Sequence, residues 1–227
     1  MLRHLREFLH LRRPGRGLTP PLAPSSLAAL LLLLPLAVAQ PRQGDTSATL
    51  ASLPPASLPE LRLEAQPGAY RLTPERRALL NTIRYAEGTW LGGSGEGYRV
   101  LYGGGRFADF ARHPEVEVRR RYVSAAAGAY QFLPQTWRAA ARELGLPDFG
   151  PASQDQAALH LVEKRGALLR FDREGLSDTV LARLAPEWAS LPTLEGGSAY
   201  GQPVRSREEL QGFFRRELER QRELRAG

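Results

Sequence analysis

Residues 73–88 read Thr-Pro-Glu-Arg-Arg-Ala-Leu-Leu-Asn-Thr-Ile-Arg-Tyr-Ala-Glu-Gly. This stretch predicts a helix that begins at Pro74, because Thr73 is a good N-cap residue and proline suits the first helical turn. Gly88 suits the position just after the helix, where a left-handed backbone is common. The sequence therefore predicts one helix, from Pro74 to Glu87, followed by a sharp change of chain direction.

The last residue of this predicted helix carries a carboxyl group on its apolar face. Leu79, Ile83 and Glu87 are four residues apart and share one side of the helix. Partial burial and the negative end of the helix dipole both favour the protonated form of the Glu87 carboxyl group. Glu87 is therefore a candidate general acid. The alternative is a solvated glutamate at a helix end, which is the common situation for this residue type.

The N-terminus predicts an export signal. An arginine-rich leader precedes the apolar run Leu27–Leu34, and the run ends in Ala37-Val-Ala39, a small-x-small sequence of the kind that signal peptidase cleaves. A helix needs about 20 apolar residues to span a membrane, and residues 27–39 are fewer. We expect a signal peptide over residues 1–39 and an exported protein in the periplasm, the cell wall or the medium; the alternative is an uncleaved anchor.

Composition limits the partners of the chain. The net charge is +7, and removal of residues 1–39, with five Arg and one Glu, leaves +3. A weakly basic protein of this kind fits an anionic polymer such as a cell wall, and gives no support for nucleic acid as a partner. There is no cysteine, and the four histidines are scattered, so we expect neither a metal site nor a cofactor.

The remaining chain divides into a linker and one domain. Residues 40–67 are rich in Pro, Ser and Ala without a regular period, which predicts a flexible linker. Residues 68–227 are enough for a single domain with its own core. No oligomerisation stripe is evident, so a monomer is the expectation.

The domain pattern predicts an α+β fold. Residues 98–102 and 106–110 are short β-type runs around Gly103-Gly-Gly105, which predicts a hairpin after the first helix, and residues 119–123 allow a third short strand. The rest of the pattern is helical, with a capping-box signature at residues 153–156. Further helices are predicted over residues 134–144, 153–166, 176–184 and 186–191 and from residue 206 onward.

A series of short motifs accompanies this pattern. In chain order they are Tyr85-Ala-Glu-Gly-Thr89, Ala108-Asp-Phe-Ala-Arg-His-Pro114, Ser124-Ala-Ala-Ala-Gly-Ala-Tyr-Gln-Phe132, Leu144-Gly-Leu-Pro-Asp-Phe149, Ser153-Gln-Asp155, Lys164-Arg-Gly-Ala-Leu168, Trp188-Ala-Ser-Leu-Pro192 and Tyr200-Gly-Gln202. Their order and spacing resemble the bacteriophage lambda lysozyme family, the lambda-type lytic transglycosylases. The resemblance covers about residues 74–202.

The resemblance implies a lysozyme-like fold, mainly helical, with a small β-hairpin lobe flanking a groove for a glycan strand. It also implies cleavage of the β-1,4 bond between N-acetylmuramic acid and N-acetylglucosamine in peptidoglycan. Glu87 matches the catalytic glutamate of the family, and Gly128-Ala-Tyr-Gln131 matches a segment that lines the groove. Peptidoglycan strands are then the expected partner.

Such a site allows two reactions, transglycosylation and hydrolysis, and the third alternative is a protein that binds peptidoglycan without cleaving it. Hydrolysis ordinarily uses two carboxyl groups, whereas a lytic transglycosylase manages with one, because the C6 hydroxyl of the muramic acid closes on C1 as a 1,6-anhydro sugar. The apparent lack of a strong second carboxyl group favours the transglycosylase. A hydrolytic muramidase and an inactive peptidoglycan-binding module are the alternatives.

Five further residues are predicted to contact the substrate. Tyr130 and Gln131 are candidates because a tyrosine offers a sugar both an apolar face and a polar tip; the alternative is a buried aromatic beside a capping amide. Trp90 and Tyr98 are aromatic candidates near the catalytic segment. Asp109 is the candidate second carboxylate or substrate contact, with a turn-capping aspartate as the equally weighted alternative.

Overall fold

The computed structural model describes residues 68–226. The predicted signal peptide (1–39) and linker (40–67) lie outside the described residues, and the division of the chain into these parts stays a prediction. Six α-helices are present in the described part: α1 Pro74–Ala86, α2 Pro134–Leu144, α3 Pro151–Lys164, α4 Leu168–Glu174, α5 Asp178–Leu184 and α6 Arg207–Ala226. None of the helices in residues 68–226 is long and apolar enough to cross a membrane.

Helix α1 confirms the prediction made from residues 73–88. The Thr73 hydroxyl oxygen accepts a hydrogen bond from the Arg76 backbone N–H at 3.3 Å, and Pro74 occupies the first turn. The helix ends one residue earlier than predicted, so that Glu87 is its C-cap, and Gly88 follows with a φ of +75°. Leu79 and the other apolar residues on its inner face are buried. Local capping signals were therefore enough to place both ends of this helix.

The β-lobe is smaller than predicted and differently placed. The only paired strands in residues 68–226 are β1, Val118–Arg119, and β2, Val123–Ser124, which are antiparallel. Residues 95–99 form a 3₁₀-helix rather than a strand, since the Ser94 hydroxyl caps the Glu96 N–H at 3.2 Å and starts a helical turn. The predicted hairpin is reduced to one bridge, between Val100 and Arg106.

Helix α2 agrees with its prediction, whereas helix α3 begins earlier than predicted. Helix α2 ends at Gly145, which has a φ of +64°, as predicted. Helix α3 begins at Pro151, before the predicted capping box, and Ser153 lies inside its first turn. The Ser153 hydroxyl donates to Asp148 at 2.7 Å instead of capping the helix. The capping-box prediction is wrong because a proline further upstream already starts the helix.

The last third of the chain is helical with two departures from prediction. Helix α4 was not predicted, and the predicted helix over residues 186–191 is a turn segment. Helix α6 begins after Ser206, whose hydroxyl accepts from the Glu209 N–H at 3.1 Å. Its residues Leu210 and Phe214 are buried, and the Phe214 ring packs against Phe171 of α4. The whole is α+β and mainly helical, as predicted, with α1 packed against α6 and α3.

Candidate active site

A cavity of about 360 Å³ opens beside the C-terminal end of α1. One side comes from the β-lobe and the loop before α2, and the other from the turn segment after α5. The lining residues are Glu87, Tyr102, Tyr122, Ser124, Ala126, Tyr130, Gln131, Phe132, Leu133, Thr136, Leu161, Glu187, Trp188, Ala189, Tyr200 and Gln202. Four tyrosines and a tryptophan in such a lining provide flat apolar faces of the kind that pack against sugar rings.

Glu87 contributes a carboxyl group without a cationic partner to this cavity. As the C-cap of α1 it is partly buried, and the Ser190 hydroxyl donates to its Oε1 at 2.5 Å. No ion pair to Glu87 exists in the described part of the chain. Desolvation raises the pKa of Glu87 from 4.5 to about 7, and the hydrogen bond from Ser190 offsets part of that rise. Near neutral pH the group can therefore both donate and accept a proton.

The loop Gly128–Gln131 is held by the buried side chain of Gln154 in α3. The Gln154 Oε1 accepts from the Ala129 N–H at 2.8 Å, and its Nε2 donates to the carbonyls of Tyr98 and Phe149. Gly128 has a φ of +82°, and a Cβ there would lie 2.3 Å from Gln154 Oε1. Only glycine fits this close approach, which explains why the loop needs Gly128.

Gln131 lines the cavity, but its amide is already engaged. The Nε2 group donates to the carbonyls of Gly128 at 3.0 Å and Val100 at 3.2 Å. Its backbone has a φ of +48°, uncommon for a residue other than glycine. Gln131 therefore stiffens the loop and leaves its carbonyl oxygen as the group to offer a ligand.

The structure divides the predicted tyrosines differently from the sequence. Tyr130 lines the cavity with its ring, but it is buried and its hydroxyl donates to Asp155 at 2.5 Å. Tyr98 is also buried, with its hydroxyl on the same Asp155 oxygen at 2.8 Å. The polar tips expected to meet a sugar are thus inside the core, and Tyr98 does not line the cavity. Tyr102 lines it instead, because the 3₁₀-helix before it changes which side chains face outward.

Trp90 and Asp109 lie outside the lining of the cavity. The Trp90 ring lies between the guanidinium groups of Arg84 and Arg220, at 5.1 and 5.4 Å, with Phe213 against its edge. Asp109 is exposed and accepts from the Ala111 N–H at 2.8 Å. This is the turn-capping role that was the alternative for Asp109, and Trp90 packs between α1 and α6 rather than in the groove.

Two residues that bear on the carboxyl chemistry of the site, Ser190 and Glu187, were missed by sequence reasoning. Ser190 lies within the motif Trp188–Pro192, which was noted only for its resemblance. Glu187 is a second carboxylate in the lining, and its Oε2 accepts from the Arg165 guanidinium at 2.6 and 2.9 Å. No local pattern identifies either one, since each contact joins segments distant in the chain.

His113, which contacts the cavity-lining residue Phe132, is structural. His113 is buried, with Nε2 donating to the Phe132 carbonyl at 2.8 Å and Nδ1 accepting from the Glu115 N–H at 3.1 Å. Burial lowers the pKa of His113, so it is held neutral in this tautomer. Residues 68–226 contain no cluster of three or more histidine or acidic side chains placed to hold a metal ion.

Comparison with known proteins identifies the family to which this chain is similar. A family model described as Endolysin matches residues 77–220. The endolysin of Escherichia phage lambda is 39% identical over 133 residues, which is 56% of this chain and 81% of that protein. The endolysin of Escherichia phage P2 is 39% identical over 116 residues, or 48% of this chain and 67% of that protein.

Solved structures agree. Bacteriophage lambda lysozyme complexed with a chitohexasaccharide superposes with a TM-score of 0.60 at 35% identity, covering 65% of this chain and 96% of that one. A second structure of lysozyme from bacteriophage lambda has a TM-score of 0.52 at 31% identity, covering 68% and 96%.

The fold and the cavity define the class: a lysozyme-like glycosidase that cleaves peptidoglycan. Within that class the chain belongs to the endolysin family, of the lambda type. The resemblance drawn from the motifs and the predicted fold class are both confirmed.

Proposed function

We propose that this enzyme is a lytic transglycosylase that cleaves the N-acetylmuramic acid–N-acetylglucosamine β-1,4 bond and leaves a 1,6-anhydromuramic end. Glu87 is the proposed catalytic residue, acting first as acid and then as base. The observation that carries the proposal is that Glu87 is a carboxyl group in the cavity with a pKa of about 7 and no cationic partner in residues 68–226.

The reaction needs only this one group. Neutral Glu87 donates its proton to the glycosidic oxygen as the bond between that oxygen and C1 of the muramic acid breaks. The resulting Glu87 carboxylate takes the proton from the C6 hydroxyl, whose oxygen forms the new bond to C1. The proton lost in the first step returns in the second, and no water is consumed. A pKa near the working pH suits both steps.

The surroundings of the two other candidate carboxylates, Glu187 and Asp109, argue against hydrolysis by a pair of carboxyl groups. Retaining and inverting glycosidases ordinarily use a pair of carboxyl groups on the two sides of the bond. Glu187 lines the cavity but is paired with Arg165, and Asp109 caps a turn outside it. Hydrolysis remains the second candidate because Glu187 does share the cavity with Glu87.

The aromatic lining supports a glycan strand as the ligand. Tyr102 and Tyr122 face the cavity from the β-lobe, and Trp188 and Tyr200 from the segment after α5. The similar lambda lysozyme structure is complexed with a chitohexasaccharide. The sugar rings are therefore proposed to bind in this cavity, with the Tyr130 ring shaping its wall and the side-chain carbonyl oxygen of Gln131 as a polar group for the sugar.

The N-terminal segments fit a role outside the cytoplasm. Within this proposal residues 1–39 are an export signal and residues 40–67 a tether for the domain at 68–227. Mass measurement of the protein recovered from expressing cells tests the point: a chain that begins at Gln40 supports cleavage, and a full-length, membrane-bound chain supports an anchor instead.

Mass spectrometry of the soluble products from purified peptidoglycan tests the chemistry. Anhydro-ended muropeptides, one water lighter than reducing-ended ones, support the transglycosylase. Reducing ends that take up heavy oxygen from labelled water mean hydrolysis. Absence of any product from the wild-type protein leaves only the inactive binding module.

A pair of matched variants assigns the residues. Glu87→Gln is expected to remove activity under either mechanism. Glu187→Gln retains most activity if one carboxyl group suffices, whereas a loss as deep as that of Glu87→Gln assigns Glu187 the second catalytic role. Circular dichroism on both variants separates a chemical loss from unfolding.

A further inference from the structure

Three consecutive arginines stand at the turn between β1 and β2. Arg119, Arg120 and Arg121 are all exposed, and in the described part of the chain none of them forms an ion pair. The turn is closed by a hydrogen bond from the Arg120 N–H to the Tyr122 carbonyl at 2.9 Å. Unpaired arginines on an ordered turn are a binding surface for anions when they border a functional cavity.

By the register of the hairpin, Arg120 lies on the face that borders the cavity and Arg119 lies on the opposite face. Tyr122 and Ser124 line the cavity, and Val118 is directly opposite Ser124. Arg119 is opposite Val123, so alternation directs it to the other face of the hairpin.

Arg120 lies close to Gly103, which is next in the chain to the cavity-lining Tyr102. Its side chain crosses Gly103, where an added Cβ would lie 2.8 Å from Arg120 Nε and 3.0 Å from its Cγ. Gly103 follows Tyr102, which lines the cavity. The side chain of Arg120 therefore lies beside the residue that follows Tyr102, and Arg120 is two residues before Tyr122 in the chain. Arg121 lies over the Tyr122 ring, at 5.5 Å from its centroid.

The natural substrate carries anionic groups that can reach beyond the sugar-binding cavity. Each N-acetylmuramic acid can carry a stem peptide through its lactyl group, and stem peptides bear free carboxylates. A cavity of about 360 Å³ is at the lower end of the size range of small-molecule sites. A peptide attached to a sugar bound inside would therefore extend across the rim, where a guanidinium group can pair with a carboxylate through two parallel hydrogen bonds.

We propose that Arg120, with Arg121 beside it, binds a carboxylate of the stem peptide and so makes the enzyme prefer peptide-bearing glycan strands. The inference rests on the proposed function, since it requires a glycan strand in the Glu87 cavity. Arg119 is a built-in control, with the same charge on the same turn but the opposite face.

The test compares two substrates that differ only in their peptides. One is soluble glycan strands with stem peptides, free of teichoic acid; the other is the same strands after an amidase has removed the stems. Wild type and Arg119→Ala are expected to prefer the peptide-bearing strands equally. Arg120→Ala is expected to raise KM about 5- to 10-fold on these strands alone, the effect of one charge-assisted contact at a solvated rim.

Two further measurements sharpen the assignment. Arg120→Lys keeps the charge without the planar fork and is expected to lie between wild type and the alanine variant. Raising the salt concentration is expected to reduce the preference of the wild type towards that of Arg120→Ala, because exposed charge pairs are screened.

Each contrary outcome has a distinct meaning. An equal loss for Arg120→Ala on both substrates would overturn the inference and make the residue a sugar or folding contact. An equal effect of Arg119→Ala would mean that general charge attraction, and not a specific contact of Arg120, causes the preference. An effect seen only on walls that carry teichoic acid would mean that the arginine binds a phosphate polymer instead of the stem peptide. No cleavage of either substrate by the wild type would defeat the proposed function itself, and this inference with it.

Discussion

Glu87 and Asp155 are two carboxyl groups withdrawn from water in the same small domain, with opposite surroundings. Asp155 in α3 is 3% exposed and is bound by the hydroxyls of Tyr98 and Tyr130 and by the guanidinium group of Arg77. Within residues 68–226, the side chain of Glu87 has a single hydrogen bond, from Ser190, and no cationic partner. The same chemical group is therefore fully satisfied by hydrogen bonds and an ion pair at Asp155, and has a pKa raised to about 7 at Glu87.

The difference shows what burial alone does not decide. Desolvation disfavours the charged form of any carboxyl group, and the donors around it determine whether that cost is met. The two groups are also connected: the Tyr130 carbonyl accepts from Trp188 Nε1 at 3.2 Å, and Ser190 is two residues further on. Asp155 thus helps to hold Tyr130 and the wall of the cavity that Glu87 lines.

The largest expected difference between the two groups comes from replacing Glu87 with a residue that cannot donate a proton. We expect Glu87→Gln to lower the rate of peptidoglycan cleavage about 10²- to 10⁴-fold, the usual contribution of a general acid, with the fold intact. Release of soluble muropeptides measures the rate. A variant that keeps more than a tenth of the wild-type rate would contradict the role assigned to Glu87.

The reverse experiment removes the structural carboxylate. Asp155→Ala leaves Arg77 and two tyrosine hydroxyls without their acceptor, and we expect it to lower the free energy of unfolding by about 3 kcal/mol. Urea denaturation measures this. Asp172→Ala is the matched control, because its partner Arg76 is adjacent to Arg77 and the pair is more exposed, so we expect a loss below about 1 kcal/mol. Equal losses in the two variants would remove the distinction drawn for Asp155.

Stability as a function of pH tests the same comparison at Glu87. Its pKa is raised in the folded state, so its contribution to stability is complete below the unfolded value of 4.5 and is lost as the pH rises to about 7. At about 1.4 kcal/mol per pH unit the loss is about 3 kcal/mol. We expect Glu87→Gln, which cannot ionise, to gain about that much over wild type between pH 4.5 and pH 8. A pH-independent difference between the two proteins would show that the pKa is not raised.

The smallest expected effect concerns the one hydrogen bond to Glu87. Ser190→Ala removes a donor that favours the carboxylate, so we expect the pKa of Glu87 to rise further, by up to about one pH unit. The alkaline limb of the pH–rate profile should move up accordingly, and the rate at neutral pH should fall about 3- to 10-fold through loss of positioning. Ser206→Ala is the control, since that hydroxyl accepts from the Glu209 N–H at the start of α6, and neither residue lines the cavity.

The parts of the fold that followed from sequence are those set by neighbouring residues. Helix α1 has its cap, its proline and its terminal glycine within one stretch, and Gly145 ends α2 in the same way. The capping box at Ser153 failed because a competing start signal, Pro151, lies just before it. The hairpin failed because a serine cap turned residues 95–99 into a helical turn. In both cases a neighbouring start signal, Pro151 for the helix and Ser94 for the 3₁₀ turn, determined the structure instead of the predicted pattern.

The candidate site was predictable only in part. Glu87, Tyr130 and Gln131 do line the cavity, whereas Tyr98, Trp90 and Asp109 do not. Aromatic and acidic residues near the catalytic segment carry no signal for which way they face, and that direction depended on packing with α3 and α6.

By itself, the sequence determined the first helix, the place of Glu87 at its end, and membership of the family through its ordered motifs. Only the tertiary structure decided the state of that carboxyl group. Ser190, the one donor to it within residues 68–226, is 103 residues away in the chain. Arg165, which forms the ion pair with Glu187, comes from a third segment, at the end of α3. A pKa is the sum of desolvation and of all nearby charges and donors. These arrive from remote parts of the chain, so they exist only once the chain has folded.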